Sequence, residues 1–369
     1  MVDIFRILRP ILFTYFTYRR LMLRNQEKNY WKKNNLPPLK AIKPISGTFI
    51  YLIPPDYPGI KTYFWKLKEW IHEFERLKCL GIDTLILNGS VSETISGQWY
   101  VFYPMSEDAK RKFSNVEKRH VYPPKTRNCI SHILQAAEQV GLNVHLGLFN
   151  VLDQWFINPT PDFLNETLEH EIAVAEDLVS LYGEAQALKG WYISPEIFYF
   201  LHGRCKKLDL KEFLQPIGHF LKKSTAKMHI GLSPGTMYPF AREKVKRFWI
   251  DALKDTGINL LYPQDSVGTL NIYPSQSPFV WKLYHEIANA LKITLWANCE
   301  AFERRNFGKK QPFVAAPFKR LIWQLQTVSP FVEKIVTWEA LYFLNPLRAL
   351  QAEQLVEQYK QHFKIKNLM

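Results

Sequence analysis

Beyond residue 43 the chain alternates two patterns. Short runs rich in β-branched and aromatic residues, at 45–53, 84–91, 143–150, 188–196, 228–233, 259–265, 294–300 and 334–340, each end in polar residues. Between them, apolar positions recur at helical spacing over 64–80, 128–140, 163–181, 242–255, 278–291 and 347–361. Gly81, Gly141 and Gly257 stand just past three of these stretches, where a left-handed residue closes a helix. Strand–helix alternation eight times over predicts an α/β fold, a parallel sheet closed into a single (β/α)8 TIM barrel spanning 44–369. An open doubly wound sheet competes, but no G-x-G-x-x-G follows the first strand.

Residues 1–43 break the pattern and read as an N-terminal basic amphipathic arm with its linker. Arg6, Arg9, Arg19, Arg20, Arg24, Lys28, Lys32, Lys33, Lys40 and Lys43 face only Asp3 and Glu27 there. The arm therefore holds more than half of the +14 net charge of this 369-residue chain, and the barrel is only mildly basic. Its apolar run is interrupted by arginines and Pro10, well short of the ~20 residues that span a bilayer, and no small-residue cleavage site follows. Peripheral contact of residues 1–24 with acidic lipid competes with a basic helix docked on the barrel. No nucleic-acid motif accompanies the charge, so nucleic acid is not the expected partner. Cys79, Cys129, Cys205 and Cys299 form no C-x-x-C pair and read as free thiols. An uncleaved arm and free thiols point to the cytoplasm or its membrane face. Oligomeric state leaves no trace in the sequence.

In such a barrel, reacting groups project from the C-terminal strand ends. In the seventh strand Thr294, Trp296, Asn298 and Glu300 share one face, while Leu295, Ala297 and Cys299 share the helix-packing face. In the fourth, Tyr192, Ser194 and Glu196 share the inward face. Two glutamates at the ends of strands four and seven face each other across the mouth. Glycosidic cleavage needs this pair: one acid to protonate the leaving oxygen, one carboxylate to attack or to activate water.

The segments 81–87, 190–196, 264–268 and 295–303 (GIDTLIL, GWYISPE, QDSVG and LWANCEAFE) resemble a bacterial family, domain of unknown function 4434. The likeness runs over about 45–338 and implies a TIM barrel related to glycoside hydrolases. More distantly, the arrangement is similar to the clan A retaining glycoside hydrolases. That resemblance implies Glu196 as acid/base, Glu300 as nucleophile and Trp338 as part of the sugar floor, with a carbohydrate substrate. One position departs: the clan has Asn before the strand-four glutamate, and here Pro195 stands there. The contact to the sugar 2-hydroxyl then falls to Asn298 or Gln264, or the chemistry differs.

Structural roles compete with each assignment. Glu300 could pair with Arg304 or Arg305, and Glu303, one turn on, could take its role. Glu196 could start a helix, and Asp265 could be a turn residue rather than a substrate contact. Trp155, Trp296 and Trp338 lie near strand tops, where an indole stacks on the apolar face of a sugar or caps the barrel core. Residues 231–235 match G-x-S-x-G, but Pro234 lacks the N–H the oxyanion needs, and the segment reads as a turn. Ten histidines include no H-E-x-x-H pair, so neither a metal nor a cofactor is expected, and His145 and His229 read as core residues. Residues 92–125 form a long aromatic-bearing connection, a candidate lid or an ordered surface loop. A non-catalytic glycan-binding or envelope-assembly protein on the same scaffold is the alternative to a glycosidase.

Overall fold

Eight parallel strands close into one barrel: β1 (Ile45–Ile50), β2 (Thr84–Leu87), β3 (Asn143–Gly147), β4 (Leu188–Phe198), β5 (His229–Gly235), β6 (Leu260–Leu261), β7 (Thr294–Glu300) and β8 (Lys334–Trp338). They stand in chain order, and β8 pairs back onto β1 through Thr337↔Thr48. The computed structural model describes residues 42–52, 62–93, 99–114, 121–122, 129–151, 160–199, 210–236, 241–269, 272, 276–304 and 313–365. Nearly all of the arm, and Trp155, lie outside them. No helix among the described residues is long and apolar enough to cross a membrane.

The inward face of the sheet is aromatic. Phe49, Tyr192, Tyr262 and Trp296, with Ile86, Leu260 and Val336, form a cluster separate from the apolar layer under the helices. Room for rings this large comes from small residues opposite them. A Cβ on Gly190 would meet the His145 ring at 2.8 Å, and one on Gly231 would run into the Tyr262 ring. Leu295, Ala297 and Cys299 of β7 face the outer layer, as their alternation predicts.

Helices cover the outside at Leu67–Cys79, Cys129–Val140, Pro161–Tyr182, Leu210–Ser224, Arg242–Leu253, Ser277–Leu291, Phe318–Val328 and Ala352–Phe363. Thr160 caps the longest, its hydroxyl accepting Phe163 N–H at 3.2 Å ahead of Pro161 in the first turn. Gly81 and Gly141 take φ of 88° and 77° just beyond their helices.

Three local departures from the sequence expectation have physical causes. The β6 ladder to β7 breaks after Leu261, because Pro263 has no N–H to donate, and resumes at a Gln264↔Asn298 bridge, while Tyr262 and Gln264 N–H still reach β5 at Leu232 and Pro234. Strand β5 continues through Gly235, so the G-x-S-x-G segment is strand and not turn. The described part of 92–125 is not open loop: Val91–Glu93 pairs with Trp99–Val101 and with Phe149–Asn150, and Val121–Tyr122 completes a small sheet beside the mouth. Its aromatic residues are packing groups. The buried Trp99 ring meets those of Phe113, Phe149 and His170 edge-on at 5.0, 5.3 and 5.2 Å.

Candidate active site

Glu196 owes its position to a bulge. Ile193 lies opposite Leu232 and Ile197 opposite Pro234, so β4 carries surplus residues against β5, and Ser194, Pro195 and Glu196 fall within them. Bulges bend a strand and re-aim its side chains. Glu196 is partly buried and hydrogen-bonds the Gln264 side chain of the neighbouring β6 end. Burial raises its carboxyl above the ordinary range, and the Gln264 contact partly offsets this.

Glu300 ends β7 in register with Trp338. Only 1% of it is exposed. Its Oε2 accepts the Thr269 N–H at 2.7 Å, and the Thr269 hydroxyl lies 3.4 Å from Oε1. The loop after β6 therefore roofs this carboxyl, and Gly268 allows the approach, since a Cβ there would meet Glu300 Oε2 at 3.0 Å. Burial and then the Asp265 charge push Glu300 up to about 8, against the opposing pull of the Thr269 N–H and Arg320.

Asp265 faces away from the mouth. Its Oδ1 accepts Glu300 N–H at 3.1 Å and Val267 N–H at 3.3 Å, and its Oδ2 accepts the Gln324 amide at 2.5 Å. Arg320, on the same outer helix as Gln324, donates to the main-chain carbonyls of Glu300 and Phe302. Asp265 thus ties the β6 loop, the end of β7 and helix Phe318–Val328 together.

The other candidates separate by height. Asn298 is buried on the inward face level with Gln264, and its Oδ1 has no hydrogen-bond partner among the described residues. The half-buried Trp338 packs its ring 5.5 Å from Tyr51 and 5.6 Å from Phe302, and the peptide bond to Glu339 is cis. Trp296 sits lower, in register with Lys334 at the start of β8 and stacked 5.4 Å from His145. Glu303 lies opposite Val314 in the hairpin of Phe302–Arg304 with Phe313–Ala315. His145 is a core residue: burial, then His229 and Lys334, lower it to about 3, and the Tyr262 hydroxyl is its partner. No group of three His, Cys, Asp or Glu among the described residues could hold a metal.

Sequence reasoning missed Tyr51, Asn88, Asn150 and Glu339. Glu339 Oε2 accepts Tyr51 N–H at 3.0 Å, and the Tyr51 hydroxyl faces Glu196, Glu339, Asn150 and Asn88. The available signal was the alternation of β1 and β2 carried two residues further: Phe49 and Ile86 point inward, so Tyr51 and Asn88 do too.

Eight parallel strands closed in chain order, each followed by helix, make this a TIM barrel. The chain belongs to the DUF4434 family, a domain of unknown function whose profile matches residues 45–349. No curated protein matches it. Among solved structures it is similar to a protein of Bacteroides thetaiotaomicron VPI-5482 described as a "putative alpha-L-fucosidase". The TM-score is 0.73 and the identity 22%, over 90% of this chain and 97% of that one. It is also similar to a protein described as a glycoside hydrolase, with TM-score 0.50 and 12% identity over 84% of this chain and 67% of that one. Identities this low establish the shared fold.

Proposed function

We propose that the protein is a glycoside hydrolase whose carbohydrate substrate lies in the barrel mouth against Trp338. The observation that carries this reading is Glu196, bulged out of β4 onto Gln264 and made a weaker acid by its burial. A carboxyl held this way keeps a proton to give. In the first step Glu196 protonates the glycosidic oxygen as the bond to the anomeric carbon breaks, and the ionised Glu300 carboxylate attacks that carbon. In the second, Glu196 removes a proton from water, which displaces Glu300 with net retention. The Thr269 N–H aimed at Glu300 Oε2 partly offsets the burial and the Asp265 charge that hold this carboxyl protonated up to about 8, so attack draws on the fraction that has lost its proton. Gln264 and Asn298 supply polar contacts to the sugar, and neither metal nor cofactor enters the scheme.

A second reading, a glycan-binding or envelope-assembly protein on this scaffold, gains support from the roofing of Glu300, only 1% exposed. A broad panel of aryl glycosides and a sugar-epoxide or aziridine probe separate the two. Turnover that falls roughly 100- to 10,000-fold in Glu196→Gln, with the probe attached to Glu300, supports the hydrolase. Sugar binding without any turnover supports the second reading. A probe attached to another carboxylate reassigns the nucleophile.

A further inference from the structure

One wall of the mouth has no part in that scheme. Tyr51 follows β1, Asn88 follows β2 and Asn150 ends the short strand after β3, and these polar residues come together around the Tyr51 hydroxyl, with the Tyr51 ring packed on Trp338. Tyr51 is fixed at both ends of its residue, by the 3.0 Å hydrogen bond from its N–H to Glu339 and by packing of its ring on Trp338. Its hydroxyl lies against the Asn150 and Asn88 amides, with Glu196 and Glu339 close enough to act on it. Burial, followed by those two charges, raises the phenol far above its usual range, so it meets a ligand as a neutral O–H.

Two buried amide atoms in this mouth are left over. Asn88 is 6% exposed, and its Nδ2 leans toward the Tyr51 hydroxyl without reaching a partner of hydrogen-bonding geometry among the described residues. Asn298, on β7, is 4% exposed, and its Oδ1 has none there either. Buried polar atoms are normally paired. One leftover is a donor and the other an acceptor, and a sugar hydroxyl is both at once.

We propose that Tyr51 and Asn88 are substrate-contacting residues that read ring hydroxyls of the sugar seated on Trp338, with Asn150 positioning Tyr51. Asn88 Nδ2 and the Tyr51 O–H donate to hydroxyl oxygens on the β1–β2 side, and Asn298 Oδ1 accepts from a hydroxyl on the β7 side. The ligand class is a polyhydroxylated sugar ring, recognised through its hydroxyl pattern. The inference rests on the reading of the mouth as a carbohydrate site.

The test is calorimetric titration of Glu196→Gln protein with methyl glycosides of glucose, galactose, mannose, fucose, xylose and arabinose and their monodeoxy analogues. Asn88→Asp and Tyr51→Phe, added singly, are expected to weaken the bound glycoside roughly five- to tenfold. Each is expected to lose nothing more against the one deoxy analogue lacking the hydroxyl it contacts. Affinities within about twofold of the parent in both variants overturn the assignment and leave the carbohydrate site standing. Binding of no glycoside by the parent overturns both. Thermal melting checks that the variants fold. Tyr51→Phe, which removes one oxygen from a partly buried ring, decides the matter where Asn88→Asp does not fold.

Discussion

Asp265 holds Glu300 by its main chain: Oδ1 of the aspartate accepts the glutamate N–H at 3.1 Å, while the aspartate charge raises the cost of ionising the glutamate carboxyl. The outer oxygen of Asp265 is taken by Gln324, and Arg320 lies alongside, so the end of β7 is anchored from behind the barrel wall. Asp265→Ala would strip partners from Glu300 N–H, Val267 N–H and the Gln324 amide, and would leave the buried Arg320 with less compensation. The expected loss is about 3 kcal/mol, seen as a lower denaturant midpoint at unchanged slope. An unmoved midpoint would show that the anchor carries no stability.

Glu300 makes stability depend on pH. Its carboxyl stays protonated in the folded chain up to about 8, against 4.5 for an ordinary glutamate. A raised folded value means the contribution is complete below about 4.5 and is lost as pH rises through 8. Unfolding measured at pH 5, 7 and 9 should show stability falling by up to a few kcal/mol across that window, and Glu300→Gln should flatten the fall. The same titration sets activity in the opposite sense. In the proposed scheme attack needs the ionised form, so kcat/KM should climb as pH rises through about 8 for as long as Glu196 keeps its proton.

His145 should be silent over the physiological range. Burial, His229 and Lys334 depress it to about 3, so the ring is neutral and shares a hydrogen bond between Nδ1 and the Tyr262 hydroxyl. Its stabilising contribution is therefore complete above 6.5 and lost only as pH falls toward 3. Its ring resonances should not move between pH 5 and 8 in NMR titration.

Gly231→Ala should damage the fold and not merely the site. The new methyl group has no space beside the Tyr262 ring, and both residues are packed inside the barrel. Overpacking of this kind costs about 1–3 kcal/mol, readable as a drop in Tm.

Much of this architecture could be read from the chain because a barrel strand carries its orientation in its alternation. Trp296 inside and Cys299 outside follow from parity alone, and the alternation of β-rich runs with helical stretches marks the place of all eight barrel strands. Parity fails where the backbone is irregular. The surplus residues at Ser194–Glu196 are set by pairing with β5, a neighbour some forty positions away, and alternation has no term for them. Height fails for a related reason: Trp296 has the right face but sits in register with the beginning of β8, which only the inter-strand pairing reveals. Tyr51 and Glu339 fall inside the runs 45–53 and 334–340, yet what gives them a place in the site is their contact across 288 positions, which closes the ring between first and last strands and leaves no local pattern.

The aromatic plug of Phe49, Tyr192, Tyr262 and Trp296 has a consequence for traffic. It makes the barrel blind-ended. A sugar that reaches Trp338 must arrive and depart by one door, and a long glycan could be gripped only by a terminus dipped into the mouth or by a stretch draped across it, never by threading along the axis.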